Sequence, residues 1–216
     1  MRVLLIDHGC CDPPHARAHA FRGGLDSLGI AAAVCGPSSV PGLELQATGM
    51  HGIHLHDIAA ASRTFLAAVR DGSPEAFLAA VADVPARLLG LVRETARQTI
   101  AEAADALYPD VIFVLHAGIL ADLAVETGAP VVVHVAAADL AAAAARPSLR
   151  RLVTAAIGSS EVVVAADDAV AADLRGSWLG AEADVPGRCE TWPADAGCPE
   201  RIAAACGGAL ARRRGE

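Results

Sequence analysis

Lysine and asparagine are absent from all 216 residues, so each of the seventeen basic side chains is an arginine. Together with the alanine excess, this marks a GC-rich coding bias and leaves arginine usage with little to say about function. There is no broad basic block, and the formal net charge is −8. A nucleic-acid partner is therefore not expected, because affinity for phosphate backbones rests on clustered cations. The one basic run, Arg212 to Arg214, is terminal and reads as a solvated tail that favours a helix C-terminus.

Hydrophobic residues make up 54% of the chain, yet no stretch of about 18 strongly apolar residues occurs, so no integral membrane segment is expected. The opening run is broken at Asp7, too early for a secretory signal. It reads as a first strand, and the protein as soluble and cytoplasmic. The six cysteines (10, 11, 35, 189, 198 and 206) contain no CxxC pair. A disulfide scaffold is not expected, and most should be small buried hydrophobes. Whether Cys189 and Cys198 approach across the loop holding Trp192 stays open. Neither GxGxxG nor GxxxxGK[ST] is present, so independent dinucleotide or triphosphate binding lacks its usual phosphate cradle. No cofactor is expected.

What is present begins with residues 108 to 118, YPDVIFVLHAG, and residues 128 to 135, GAPVVVHV. Each is a continuous apolar run opened by Pro-Asp or Ala-Pro and closed by a histidine, the pattern of a parallel strand buried on both faces. In an open α/β sheet, the edge where such strands end is where ligands bind. The rest of the chain alternates around this pair. Strands are expected at 2 to 7, 30 to 34, 53 to 56 and 161 to 165, with a further short one at 43 to 46 inside a Pro/Gly/Ser-rich loop from Gly36 to Gly52.

Helices are expected from 15 to 28, stopped at Gly29, and from Asp57 or Ser62 up to Gly72. Ser73 with Pro74 starts the next one. Residues 85 to 107 carry an apolar stripe at 88, 91, 92, 96, 100, 103 and 107 that should lie on the sheet. Shorter helices follow near 118 to 126, over 139 to 157 with a break at Pro147, from Asp167 or Asp168 through Leu174, and over 199 to 214. The fold class is a three-layer, doubly wound, mainly parallel α/β sheet of Rossmann type. One domain spans 1 to 216, with a core to 195 and a terminal helix or tail from 196.

The order of these elements resembles the N-terminal, Rossmann-like domain of GT-B glycosyltransferases, especially family 4, over roughly residues 1 to 195. Met1 to Ile6 with Pro13-Pro14 is similar to that family's opening strand and loop. Pro109 to His116 is similar to its "PDVIHAH" element, and Pro130 to Val135 with Asp139-Leu140 to its "PVVVTVHG-DL" segment. Leu149 to Leu152, Glu161 to Ala166 and Ala169 to Leu174 follow its helix, "ADRVIAVS" strand and next helix, and Trp192 to Asp195 stands where "IPNGVD" leads to the second domain. The sequence departs from the family at three places. The first loop has one glycine before two cysteines, Ala136-Ala137 replaces the His-Gly after the fifth strand, and Ala165 or Ala166 replaces a serine.

The resemblance implies the acceptor-side half of a transferase whose donor-binding half is missing from this chain. Transfer would need a nucleotide-sugar-binding partner domain, and the isolated chain should be inactive. A small-molecule acceptor would bind here. His116 and Asp139 are the candidate catalytic residues, since both follow strands that end at one crevice, where a base must reach an acceptor hydroxyl. The bland alternative makes His116 a satisfied strand-end histidine and Asp139 a helix cap.

His8, Gly9, Pro13, His15, His19 and His134 are the candidate substrate-binding residues. His8, Cys10, Cys11, Asp12, His15 and His19 crowd the first loop, but their spacing matches no standard metal motif. The same holds for His51, His54 and His56, and no metal is expected. A second function class stays open, a non-catalytic module that binds a small molecule or a protein on the same fold. An uncovered sheet face would favour a homodimer, unless residues 199 to 214 fold back over it.

Overall fold

A computed structural model describes residues 1–9, 16–38, 49–55, 58, 62–178, 189–192 and 198–215. Cys10, Cys11, Asp12, Pro13, His15, the expected strand at 43 to 46, His56 and Asp57 lie outside the described residues. Seven strands form one sheet: β1 (Arg2–Ile6), β2 (Ala31–Ser38), β3 (Met50–His54), β4 (Val111–Val114), β5 (Val131–Val135), β6 (Val162–Ala165) and β7 (Cys189–Thr191). Their order is β3-β2-β1-β4-β5-β6-β7, and every neighbouring pair is parallel. The chain winds outward from β1 to β3 and then returns to the other side of β1. The gap between β1 and β4 is the topological switch point, outside whose carboxyl ends ligands bind in open α/β sheets.

The interiors of β1, β4 and β6 are apolar on both faces, as a parallel sheet between two helix layers requires. Alternate residues feed two cores. Leu4, Ile6, Ile112, Val114, Val131 and Val133 face one layer, and Val3, Leu5, Val111, Phe113 and Val132 face the other. On the first side lie α2 (Arg63–Asp71), α3 (Pro74–Asp83), α4 (Ala86–Leu107), α5 (Ala121–Glu126), α6 (Ala137–Ala145), α7 (Pro147–Ser159) and α8 (Asp168–Asp173). On the second lie α1 (Ala16–Ser27) and α9 (Pro199–Arg214), which contribute Phe21, Leu25, Ile202 and Cys206. The terminal helix thus folds back over the sheet, and Arg213 ties it to Glu161 at 3.0 Å.

Local chemistry sets several boundaries. Ser62, Ser73 and Asp167 cap α2, α3 and α8 by accepting the N–H of Phe65, Ala76 and Val170. Pro147 opens α7 after Arg146 leaves the helical region, so the expected break in the alanine-rich helix is real.

Three expectations need correcting. β2 runs on to Ser38 and β3 begins at Met50, within the span read as loop. Pro37 is tolerated because the Cys35 carbonyl accepts from Asp7, which sets odd residues of β2 toward β1. By residue 37, β1 has ended, so the missing N–H breaks no ladder bond. In α4, Leu91 is 51% exposed, and Leu89 is buried in the cluster that holds Val81 and Val84. β7 was not expected, since Cys-Glu-Thr carries no apolar run. Cys189 and Cys198 are free thiols. Among the described residues, no helix is long and apolar enough to cross a membrane.

Candidate functional site

The carboxyl ends of β1, β4 and β5 deliver three imidazoles to adjacent positions. β1 and β4 pair with Ile6 opposite Val114, and the Leu115 N–H donates to the Ile6 carbonyl at 2.8 Å. Two residues beyond that pair on each strand stand His8 and His116, with ring centroids 6.0 Å apart in an edge-to-face arrangement. His134, on β5, follows at 6.2 Å from His116, again edge to face. The row continues to Trp192 at 6.4 Å from His134, and Trp192 stacks on Phe113 at 5.8 Å. At the other end, His8 lies 6.1 Å from Phe77. The three imidazoles are 0%, 2% and 7% exposed in the order 8, 116, 134.

Asp139 meets this row from α6. Its Oδ2 accepts the Ala136 N–H at 2.7 Å, which is the carboxylate half of a capping box. Ala136 has no side-chain oxygen to supply the other half. Oδ1 lies 3.3 Å from His116 Nδ1, inside ion-pair distance but off hydrogen-bond geometry. Asp139 is 1% exposed. It therefore serves as helix cap and as neighbour of His116 at once.

The other imidazoles are held by the backbone. His134 Nδ1 lies 3.0 Å from the Leu115 carbonyl, which fixes a proton on Nδ1 and points Nε2 the other way. His8 Nε2 accepts the Leu120 N–H at 3.2 Å, so its proton sits on Nδ1. Complete burial pushes the His8 pKa down to about 3; the neighbouring His116 lowers it further and Asp139 opposes. His8 is a neutral acceptor throughout the physiological range. The segment between His116 and Leu120 is pinned a second time by Arg93, which donates to the Ile119 carbonyl at 2.7 Å and pairs with Asp122 at 2.6 Å.

The candidate residues divide as follows. His8, His116, His134 and Asp139 come together, and Gly9 adjoins them, its N–H donating to Asp7 Oδ1 at 3.0 Å. A Cβ on Gly9 would stand 3.0 Å from the Gly72 carbonyl oxygen, so the Gly9 backbone sits close against the α2–α3 connection. His19 is exposed on α1. Pro13 and His15 lie outside the described residues.

Gly118, Leu120 and Ala136 escaped sequence reasoning. They act through backbone groups or through the lack of a side chain, and neither leaves a residue-type signal. Among the described residues, no cluster of histidine, cysteine or carboxylate fits a metal ion. His51 stands apart on β3, its pKa lowered by burial and raised in part by Glu102.

Beyond α6, a groove of about 530 Å³ runs between α6, α7 and α8, lined by Ala137, Leu140, Ala141, Arg150, Asp173 and Trp178. Its size falls within the range of small-molecule sites. Arg150 lies 4.8 Å over the Trp178 ring and donates to the Ser177 carbonyl at 3.1 Å. Ser177 and Trp178 belong to a π-helical turn, Leu174–Trp178, a geometry enriched at functional sites.

No family model and no curated protein matches this sequence. Among solved structures, a UDP-GlcNAc 2-epimerase from Neisseria meningitidis bound to UDP-GlcNAc is similar at 14% identity and a TM-score of 0.48, over 88% of this chain and 46% of that one. A Streptomyces sp. SF2575 glycosyltransferase is similar at 12% identity and a TM-score of 0.40, over 76% of this chain and 50% of that one. A spinosyn rhamnosyltransferase complexed with thymidine diphosphate is similar at 17% identity and a TM-score of 0.41, over 89% and 49%. The chain spans about half the length of each.

Proposed function

We propose that this fold is the acceptor-side half of a GT-B, family 4-like glycosyltransferase, with His116 as the base that takes the proton from an acceptor hydroxyl. The observation that carries it is the His116–Asp139 pair, 3.3 Å apart at the switch-point edge of the sheet. In the reaction, the acceptor oxygen gives its proton to Nε2 of His116 as it attacks the sugar carbon, and the nucleotide diphosphate leaves. Asp139 holds the ring through Nδ1 and stabilises the imidazolium that forms. His116 is 2% exposed, so the acceptor reaches it only as the edge rearranges, and catalytic hydrogen bonds commonly tighten at that stage.

The leaving diphosphate needs cations, helix N-termini or a metal, and the sequence supplies no glycine-rich cradle for it. A second Rossmann-like domain, on this or another polypeptide, provides that half. The groove beside α6 takes the body of a small-molecule acceptor, because Ala137 begins the helix that also presents Asp139. A single domain over 1–216 and a cytoplasmic location complete the proposal, and self-association into a homodimer would have to use surface that α9 leaves free.

The test is reconstitution with a donor-binding half and an assay for sugar transfer from nucleotide sugars. His116→Ala should lower kcat by about 100-fold or more, as loss of a general base does. Transfer that survives this change at the parent rate defeats the proposal.

A second reading is favoured by one observation, the near-complete burial of the whole imidazole row. In it the chain is a non-catalytic module that binds a small molecule in the groove, and the histidines pack the sheet edge. Ligand binding without transfer, in the presence of every donor-binding half tried, would decide for it.

A further inference from the structure

We infer that His8 is a positioning residue for His116: by accepting the Leu120 N–H on Nε2, it locks the turn that carries His116 against Asp139. The inference rests on the reading of His116 as the base, and its first test needs no activity.

His8 stands on one side of the switch point and the turn on the other, so their bond joins residues 112 apart in the chain across the β1–β4 boundary. The turn from His116 to Leu120 is short and carries its functional group at one end. Fixing Leu120 at the far end leaves His116 little freedom to swing away from α6. The Arg93 bond to the Ile119 carbonyl holds the same turn from outside, but it reaches the carbonyl side only. The N–H side depends on His8.

Gly118 shows how closely the two parts fit. A Cβ there would stand 2.6 Å from His8 Nε2, 2.8 Å from its Cδ2 and 2.4 Å from Leu78 Cδ2. Real Cβ contacts are never that short, so any side chain at 118 would push the imidazole off the Leu120 N–H. A glycine is needed here for close approach to a side chain, not for an unusual φ. The acceptor must also be reliable. An imidazole that gained a proton on Nε2 would turn from acceptor to donor and release the turn. Full burial, with the Phe77 ring 6.1 Å away, keeps His8 neutral. Its Nδ1 has no hydrogen-bond partner among the described residues, so the one bond His8 makes is the bond to Leu120.

The experiment uses the full chain. Amide exchange should show the Leu120 N–H protected in the parent protein, and exchange at the rate of a free amide would overturn the inference without any variant. Next, Asp139→Asn is made in four backgrounds, and its effect on the His116 ring resonances is read by NMR. In the parent and in His8→Gln, which keeps an acceptor at the Nε2 position, the Asn substitution should shift the His116 signals. In His8→Leu and Gly118→Ala it should shift them by less than about a third as much, as expected when the coupling between neighbours is lost.

An equal shift in all four backgrounds refutes the lock, as does failure of His8→Gln to rescue. In the reconstituted enzyme, His8→Leu should lower kcat about tenfold with KM unchanged, the pattern of lost transition-state stabilisation without lost substrate binding. If coupling is seen but no half yields transfer, the lock stands and the transferase reading falls.

Discussion

Asp139→Ala separates the two roles of this carboxylate. Its Oδ2 accepts the Ala136 N–H at 2.7 Å within the first turn of α6, and the group is buried. Removing it strips the helix of its one side-chain cap, worth about 1 kcal/mol. It also leaves a part-buried N–H without its charged acceptor, a loss of about 1–3 kcal/mol that overlaps with the first. The two together come to about 2–3 kcal/mol. At this chain length that is a fall in Tm of roughly 5–10 °C, taking 2–4 °C per kcal/mol.

Asp139→Asn keeps an oxygen for the Ala136 N–H and removes only the charge. It should cost about 1 kcal/mol or less, the scale of a charge at a helix N-terminus. Urea denaturation followed by circular dichroism measures both variants. If Asn is as damaging as Ala, the cap is not what α6 draws from Asp139 and the reasoning fails. A loss below about 0.5 kcal/mol for Ala fails it too, since surface changes fall in that range.

Other perturbations test other parts of the molecule. His8 has a folded pKa of about 3, below its ordinary 6.5; the unfolded chain therefore binds more protons between those values, and stability should rise with pH across that window. The contribution is complete above about 6.5 and is lost as pH falls toward 3, with a ceiling of roughly 5 kcal/mol at 1.36 kcal/mol per unit. His8→Gln should flatten that stretch of a stability-against-pH curve, and an unchanged slope would mean the imidazole is not buried neutral. Tyr108 is 69% exposed and ends α4 at φ 48°, where glycine is usual. Tyr108→Gly should raise stability by about 0.5–1 kcal/mol in thermal denaturation, and a loss would show the ring to be packed. Ile100→Ala, in the α4 stripe, should cost about 2–5 kcal/mol while Leu91→Ala costs under about 0.5, a contrast that equal losses would contradict.

The readable parts of this fold are the ones whose physics is local. β4, β5 and β6 are valine-rich runs, VIFV, VVVHV and VVVA, with Pro or Ser-Glu before them, and a strand buried on both faces needs little else. The serine caps and Pro147 were legible because a cap acts within three residues of itself. The end of β2 was not legible, since Gly36-Pro37 reads as loop until β1 is known to stop one pair earlier. β7 was hidden for a related reason. Cys-Glu-Thr pairs with β6 through backbone groups alone, a ladder that the Trp192 N–H extends by donating to the Ala165 carbonyl at 2.8 Å.

The site divides in the same way. His116 and Asp139 could be named because each follows a strand by a fixed few residues. His8 belongs with them by register, Ile6 opposite Val114 and then two steps on each side, and that follows once β1 and β4 are neighbours. The partners that hold the row are peptide groups of Leu115, Leu120 and Ala136, which no residue type announces.

Whether the pair at the centre is structural or chemical turns on what a purely structural edge would require. An N-cap needs one acceptor oxygen, and asparagine or serine would supply it without burying a charge. In the row of rings, His8 and His134 each use one nitrogen on a backbone group, the Leu120 N–H and the Leu115 carbonyl, and neither use calls for a buried carboxylate nearby. Instead, α6 places a full carboxylate 3.3 Å from an imidazole, both nearly out of water. Burying an ionisable pair is seldom the stable choice, since apolar replacements often match or exceed it. The surplus is the charge on Oδ1, beyond what Ala136 uses, and its direction is toward His116 Nδ1. In the proposed transferase, His116 draws on that charge as it accepts a proton at Nε2, whereas the packed-edge reading gives Oδ1 no use.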